Sequence, residues 1–344
     1  MLSTGHILVI RFSAMGDVAM VVPVIKNALQ QNPQLQITVV SNSFFSPLFT
    51  GLERCHFYGA DLKGKHKGAT GIFKLFKELK KQSKFNAIAD LHGVLRSQLL
   101  KSFFKIAGIP IASIDKGRAE KKALTQKENK SLKQLPTSFE RYAAVFNKLG
   151  ININLNTFQS VYAIQPIPVA VQQLFTSGNK IIAVSPFAQH IEKMYPIEKM
   201  KTVVYELAKL GYSIFLFGAK GNESKQLQQW EIEISNVHNM AGKFSLQEEL
   251  AIISNTKLML SMDSANMHLA ALFGIPVVSI WGATHPFAGF YGWGLSQNKI
   301  VSIDISCRPC SVFGNKPCYR GDHACMQQIT EKMIVDKITT LIWV

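Results

Sequence analysis

A carboxylate follows a small-residue turn near the start of the chain. The apolar run Ile7 to Ile10 breaks at Ser13-Ala14-Met15-Gly16, where Gly16 lets the backbone turn, and Asp17 stands where a helical pattern begins. A carboxylate held there can take the proton from a hydroxyl as its oxygen attacks another atom. It can also do no more than cap the helix, worth about 1 kcal/mol. A second polar group is Asp263-Ser264-Ala265-Asn266-Met267-His268, set between an apolar run and an alanine-rich helical stretch. Free backbone N–H groups and the dipole at such a helix start favour a phosphate, and Asp263 and His268 add polar contacts. The plainer alternative makes Ser264 and Asn266 caps and His268 a satisfied buried imidazole.

Two more loops carry polar residues of this kind. SPFAQHIEKMYP begins at Ser185 and holds Lys193, a surface lysine if alone but a phosphate partner if its loop and the Asp263 helix face one cleft. GAKGNE holds Glu223, which suits a ribose hydroxyl pair or caps the helix that follows. Four cysteines crowd the tail with the spacing C-x2-C-x7-C-x6-C, namely Cys307, Cys310, Cys318 and Cys325, with His323 nearby and Cys55 isolated far upstream. Four thiolates can hold a structural zinc, but the second pair lacks the C-x2-C spacing of a strong zinc signature. The alternative is reduced thiols packed under the C-terminal helix, and no metal or cofactor is expected.

All of these groups except the cysteines follow apolar runs, which assigns them to loops after strands. Ile7 to Ile10 reads as a strand, Val18 to Leu29 as a helix ended by Asn32 and Pro33, and Ile37 to Val40 as the next strand. A short strand at Ala87 to Ala89 ends in DLHGVLRS. A second series begins with strand Ile181 to Val184 and runs through a helix from Ile197 to Leu210, strand Ser213 to Phe217, a helix near Trp230, strand Leu258 to Leu260, helix His268 to Phe273 and strand Val277 to Ile280. Strands separated by helices imply parallel sheets, and such sheets bind ligands at the carboxyl ends of their strands. The class is α/β with two Rossmann-like halves. The prolines in Gln165 to Pro168 place the boundary there, giving 1–165, 166–325 and a C-terminal helix in 326–344, expected to pack back on the N-terminal half. Asp115 to Pro136, rich in Lys, Gln and Asn, reads as a mobile loop.

Composition narrows the function classes. The chain has 344 residues, 47% hydrophobic and 17% charged, with a net charge of +16. Residues 1–165 hold 23 Lys and Arg against 9 Asp and Glu, and the remainder 15 against 13. A basic half points to a polyanion: nucleic acid, an anionic membrane surface or a phosphorylated substrate. Nucleic acid fits poorly, because the basic stretch Lys116 to Lys133 has no aromatic residue to stack on bases. No run reaches the roughly 20 apolar residues of a membrane span, and no signal-peptide order opens the chain, so a cytoplasmic location is expected. Neither G-x-G-x-x-G nor G-x-x-x-x-G-K-[ST] occurs in the loops.

Taken in order, ILVIRFSAMGDVAMVVPVI, DLHGVLRS, KMYP, FGAKGNE and DSANMHLAALFGIPVVSIWGATHP resemble the motifs of the ADP-heptose:lipopolysaccharide heptosyltransferases, glycosyltransferase family 9. The matches run from about residue 6 to residue 326. The resemblance implies a GT-B fold, two Rossmann-like domains with parallel sheets facing across a cleft, and an inverting, metal-independent transfer of heptose from ADP-heptose to the lipid A/Kdo inner core. It implies Asp17 as the base. Lys193 would meet the diphosphate, Glu223 the ribose, and Asp263, Ser264, Ala265, Asn266 and His268 the rest of the donor. Ser13, Gly16, His92 and Arg96 fall on the acceptor side. The implied enzyme works at the inner face of the cytoplasmic membrane, beside an anionic lipid surface and without nucleic acid. Ala265 stands where the family usually has glycine, Asn266 where proline or leucine is commoner and Tyr195 where tryptophan is usual. These departures leave open a family-9 transferase using another nucleotide sugar for a surface polysaccharide.

Overall fold

The computed structural model describes residues 5–155, 158–175 and 180–342. The first apolar run becomes strand β1 (Gly5–Ile10), buried from Ile7 onward as a parallel strand covered on both faces must be. Helix α1 (Met15–Gln31) follows and buries nearly every residue from Val18 to Leu29. Strand β2 (Leu35–Asn42), strand β3 (Cys55–Ala60), helix α2 (Gly68–Gln82), strand β4 (Ala87–Asp90), helix α3 (Leu95–Ile106) and strand β5 (Ile111–Ser113) come next. Helices α4 (Arg118–Leu124) and α5 (Ser138–Lys148) end this half of the sequence. The five strands form one sheet in the order β3-β2-β1-β4-β5, parallel throughout, with Ile7 opposite both Ile37 and Ala87. Leu8, Ile10, Leu75, Ile88 and Phe104 meet in its core.

The second half repeats the plan. Strand β6 (Ile181–Ser185), helix α6 (Ile197–Lys209), strand β7 (Ser213–Leu216), helix α7 (Asn222–Glu233), strand β8 (Val237–Asn239) and helix α8 (Leu246–Ser254) are followed by strand β9 (Leu258–Met262), helix α9 (Ala265–Leu272), strand β10 (Val277–Ile280) and strand β11 (Ile300–Val301). Helices α10 (Ala324–Gln327) and α11 (Glu331–Ile342) close the chain. The sheet order is β11-β10-β9-β6-β7-β8, again parallel. Counted within its own half this is the doubly wound Rossmann order, so the α/β class with two Rossmann-like halves holds.

The chain divides into two compact units, Met1–Lys116 with Pro136–Val161 and Gly117–Leu135 with Tyr162–Val344. This corrects three expectations. The single boundary after residue 165 is replaced by passages after residues 116, 135 and 161. The segment expected to be a mobile loop contains α4, and its few apolar residues explain its place: Leu124 and Leu135 are buried with Ala288, and the Leu135 N–H donates to the Phe287 carbonyl at 2.9 Å. The tail helix, expected on the N-terminal half, belongs to the second unit. Ile334 and Ile338 of α11 are fully buried in the core that also holds Tyr195, Met200 and Val203, and each contributes about 1.5–3 kcal/mol. Residues 343 and 344 of that expected segment lie outside the described residues.

Candidate active site

In each sheet the strand order reverses beside the first strand, and loops on either side of that reversal leave room for a ligand. In the first unit the reversal lies between β1 and β4. Asp17 is the third residue of α1, and its Oδ2 lies 2.5 Å from Arg11 Nη2 and 3.4 Å from the Ala14 nitrogen. The longer contact is a weak cap; the short one is an ion pair. Arg11 is buried, whereas the Asp17 side chain keeps 31% of its surface. Its guanidinium donates from Nη1 to the Leu91 carbonyl at 2.8 Å and lies 5.9 Å above the Tyr142 ring, so the cation is fixed by the β4 loop and α5.

His92 joins the same group. The Phe12 N–H donates to its Nδ1 at 3.3 Å, which leaves the ring proton on Nε2. Burial, and then the Arg11 charge, push its pKa down to about 4, so the imidazole is a neutral N–H donor near neutral pH. The His92 and Gly93 amides both donate to Asp90 Oδ1, at 3.0 and 2.9 Å, which fixes the turn after β4. Ser13 is exposed and Gly16 half-buried in the turn before α1, while Arg96 is exposed in the first turn of α3.

In the second unit the reversal lies between β6 and β9. Lys193 ends a single helical turn after β6, and its Nζ is 2.9 Å from Asp263 Oδ2. Thr284, beyond β10, donates its hydroxyl to the same oxygen at 2.8 Å. The Asp263 side chain keeps only 8% of its surface and that of Lys193 15%. Asn266 donates to Ser185 Oγ at 2.7 Å, tying the start of α9 to the end of β6. Ser264 precedes α9, its hydroxyl 3.0 Å from that of Ser261, Ala265 opens the helix, and His268 is buried one turn in. Gly314 passes so close that a Cβ there would fall 2.3 Å from Lys193 Cγ, and its φ of +73° also favours glycine. Glu223 lies in the first turn of α7, which follows β7, the next strand over, and accepts the Ala219 N–H at 2.7 Å.

Sequence reading missed the groups that hold these residues in place. Arg11, Ser185 and Thr284 are such groups, and so is Arg308, a buried guanidinium that donates to the carbonyls of Gly282, Ile303 and Thr284 at 2.6, 2.6 and 3.2 Å. For Arg11 the available signal was an arginine directly after an apolar strand, because a guanidinium enters an interior only with acceptors waiting. Tyr195 proves to be core: it is fully buried and donates its hydroxyl to the Ile329 carbonyl at 3.0 Å. Among the described residues no three or more His, Cys, Asp or Glu are gathered to hold a metal ion. Cys307, Cys310, Cys318 and Cys325 form no disulfide; Cys325 lies in the apolar core, where burial pushes its pKa up to about 11.

The model of the family described as glycosyltransferase family 9 (heptosyltransferase) matches residues 72–317. The chain belongs to this family. The matched stretch contains His92, Arg96, Lys193, Glu223 and the Asp263 to His268 segment, and Asp17 precedes it. Among curated relatives, lipooligosaccharide heptosyltransferase 2 of Campylobacter jejuni subsp. jejuni is 24% identical over 177 residues, 49% of this chain and 53% of that protein. The chain thus spans about half the length of the first curated relatives it matches. Among solved structures, the family 9 glycosyl transferase from Veillonella parvula superposes with a TM-score of 0.76 at 18% identity, over 98% of this chain and 97% of that one. The E. coli ADP-heptose lps heptosyltransferase II superposes with a TM-score of 0.69 at 18% identity, over 98% of each chain. This member of family 9 therefore shares the two-unit GT-B architecture of those structures.

Proposed function

We propose that this chain moves a heptose from ADP-heptose to a sugar of the lipopolysaccharide inner core, the lipid A/Kdo acceptor, by one inverting displacement that needs no divalent metal. The acceptor oxygen forms its bond to the anomeric carbon as the bond to the diphosphate breaks on the opposite face. Asp17 takes the hydroxyl proton, a step worth roughly 10²- to 10⁴-fold. The departing ADP carries away the bonding pair, and Lys193 with the N-terminus of α9 offsets the charge that develops on it. Glu223 is assigned to the ribose, Asp263, Ser264, Ala265, Asn266 and His268 to the remainder of the donor, and Ser13, Gly16, His92 and Arg96 to the acceptor.

The observation that carries this reading is the partly exposed carboxylate of Asp17, held at the carboxyl end of β1 by a buried guanidinium. A carboxylate placed only to cap a helix needs no such partner. Names of relatives support the substrate class, since the E. coli structure is that of an ADP-heptose transferase. No helix of the described residues is long and apolar enough to cross a membrane. The proposed place of action is the cytoplasmic side, at the inner face of the cytoplasmic membrane, where a lipid-anchored acceptor would be met.

Transfer from ADP-heptose to core acceptor, measured with and without Asp17→Ala, tests the reading; undiminished transfer in the variant removes the base. A second reading, another nucleotide sugar as donor, draws on Ala265 and Asn266, which stand where glycine and proline or leucine are commoner. A panel of nucleotide sugars in a thermal-shift assay separates the two, because the true donor stabilises the fold most.

A further inference from the structure

Helices α2 and α3 carry an apolar stripe whose inner members, Phe76, Leu99 and Phe103, pack against the core and whose outer members, Phe73, Leu95 and Ile106, stay exposed. Leu75 and Leu79 of α2, and Leu100 and Phe104 of α3, already bury the inward faces. Leu95, Leu99, Phe103 and Ile106 recur at helical spacing along another face of α3, with Leu95 81% and Ile106 85% exposed. Phe73 of α2, 41% exposed, continues the stripe by packing edge-on against Phe103 at 5.1 Å.

Charge surrounds this stripe with one sign. The two helices together hold seven Lys and Arg against the single carboxylate of Glu78. Glu78 is already engaged by Lys65, Tyr58 and His66, and Lys101 by Asp90, which leaves six cations on the two helices. Lys77 and Lys80 lie over the rings of Phe73 and Phe76, at 4.6 and 5.9 Å from their centroids, so their stems line the apolar surface while the ammonium groups stay wet. A second copy of the chain seated here by two-fold symmetry would set these cations against each other. A bilayer with anionic headgroups meets both needs: phosphates for the lysines and acyl chains for the exposed Leu, Ile and Phe.

We infer that the α2–α3 face of the first unit seats this chain on an anionic phospholipid surface. The purpose of that seat rests on the proposed lipid-anchored acceptor, but the binding is measured without any substrate. Purified full-length protein is sedimented with vesicles of phosphatidylcholine alone and of phosphatidylcholine with an equal part of phosphatidylglycerol. About tenfold more protein is expected on the anionic vesicles, declining as salt rises. Phe73→Ser with Ile106→Ser, and separately Lys74→Glu with Lys81→Glu, should each remove most of that binding without lowering the melting temperature, since all four side chains are exposed. Equal binding to neutral vesicles, unchanged binding by the two variants, or a wild-type dimer that the variants convert to monomer would overturn the inference. Transfer retained by Asp17→Ala would instead sink the catalytic reading and leave vesicle binding as it was.

Discussion

The two units share a strand order and place opposite charges at matching points of it. After its first strand the first unit presents the carboxylate of Asp17, and after the strand beside it the neutral imidazole of His92. After its first strand, β6, the second unit presents the ammonium of Lys193, and after the neighbouring β9 the carboxylate of Asp263. In each pair one member is the more sheltered, but the roles are exchanged. Arg11 is the buried partner that leaves Asp17 partly open, whereas Asp263, fixed by Thr284, is the buried partner that aims Lys193. The same scaffold thus offers an accessible carboxylate in one unit and an anchored ammonium in the other, the two groups on which the proposed transfer rests.

The sharpest way to break this comparison is to treat the two carboxylates alike. Asp17→Asn keeps the shape and removes the proton acceptor, so kcat should fall by roughly 10²- to 10⁴-fold, with a smaller loss of stability than Asp263→Ala because the amide oxygen still accepts from Arg11 and the position is partly exposed. Asp263→Ala should show the reverse emphasis. It strands a largely buried lysine and a threonine hydroxyl, and should cost about 3 kcal/mol of stability, read as a lower urea midpoint at unchanged slope. If both variants lost rate alone, or both stability alone, the contrast would be gone.

His92 gives a pH test of the first unit. Its folded pKa, about 4, lies below the 6.5 of the free side chain, so between those values the unfolded chain binds a proton that the folded chain refuses. Stability should therefore fall as pH drops from 6.5 towards 4, by at most about 3 kcal/mol from this residue. Thermal melts across that window should show a shallower decline in His92→Asn than in the wild type. The smallest expected effect belongs to Lys193→Gln, which should weaken ADP binding about tenfold in titration calorimetry while leaving the pH profile of stability in place.

The long apolar strands, and the loops that follow them, were legible because parallel strands covered on both faces must be written as unbroken Val, Ile and Leu runs. Strands β3, β5, β8 and β11 were not, being short or carrying polar residues such as His56, His238 and Asn239. The candidate charged residues were readable one by one from their places after strands. Their partners were not, because Arg11 meets Asp17 across a turn and Thr284 reaches Asp263 from the loop of another strand, contacts that no local spacing encodes. Tyr195, named as a departure from the resembled motif, belongs to the core and spends its hydroxyl on the backbone of Ile329.

The insert Gly117–Leu135 also sets an order of events during synthesis. Its buried leucines find their partner Ala288 roughly 150 residues later in the chain, and ribosomes add about 5–20 residues each second. For about 10–30 s the nascent first unit must therefore carry a basic insert whose apolar side chains have nowhere to go. Release of a chain truncated before Ala288 would leave Leu124 and Leu135 exposed, a natural mark for chaperones and proteases.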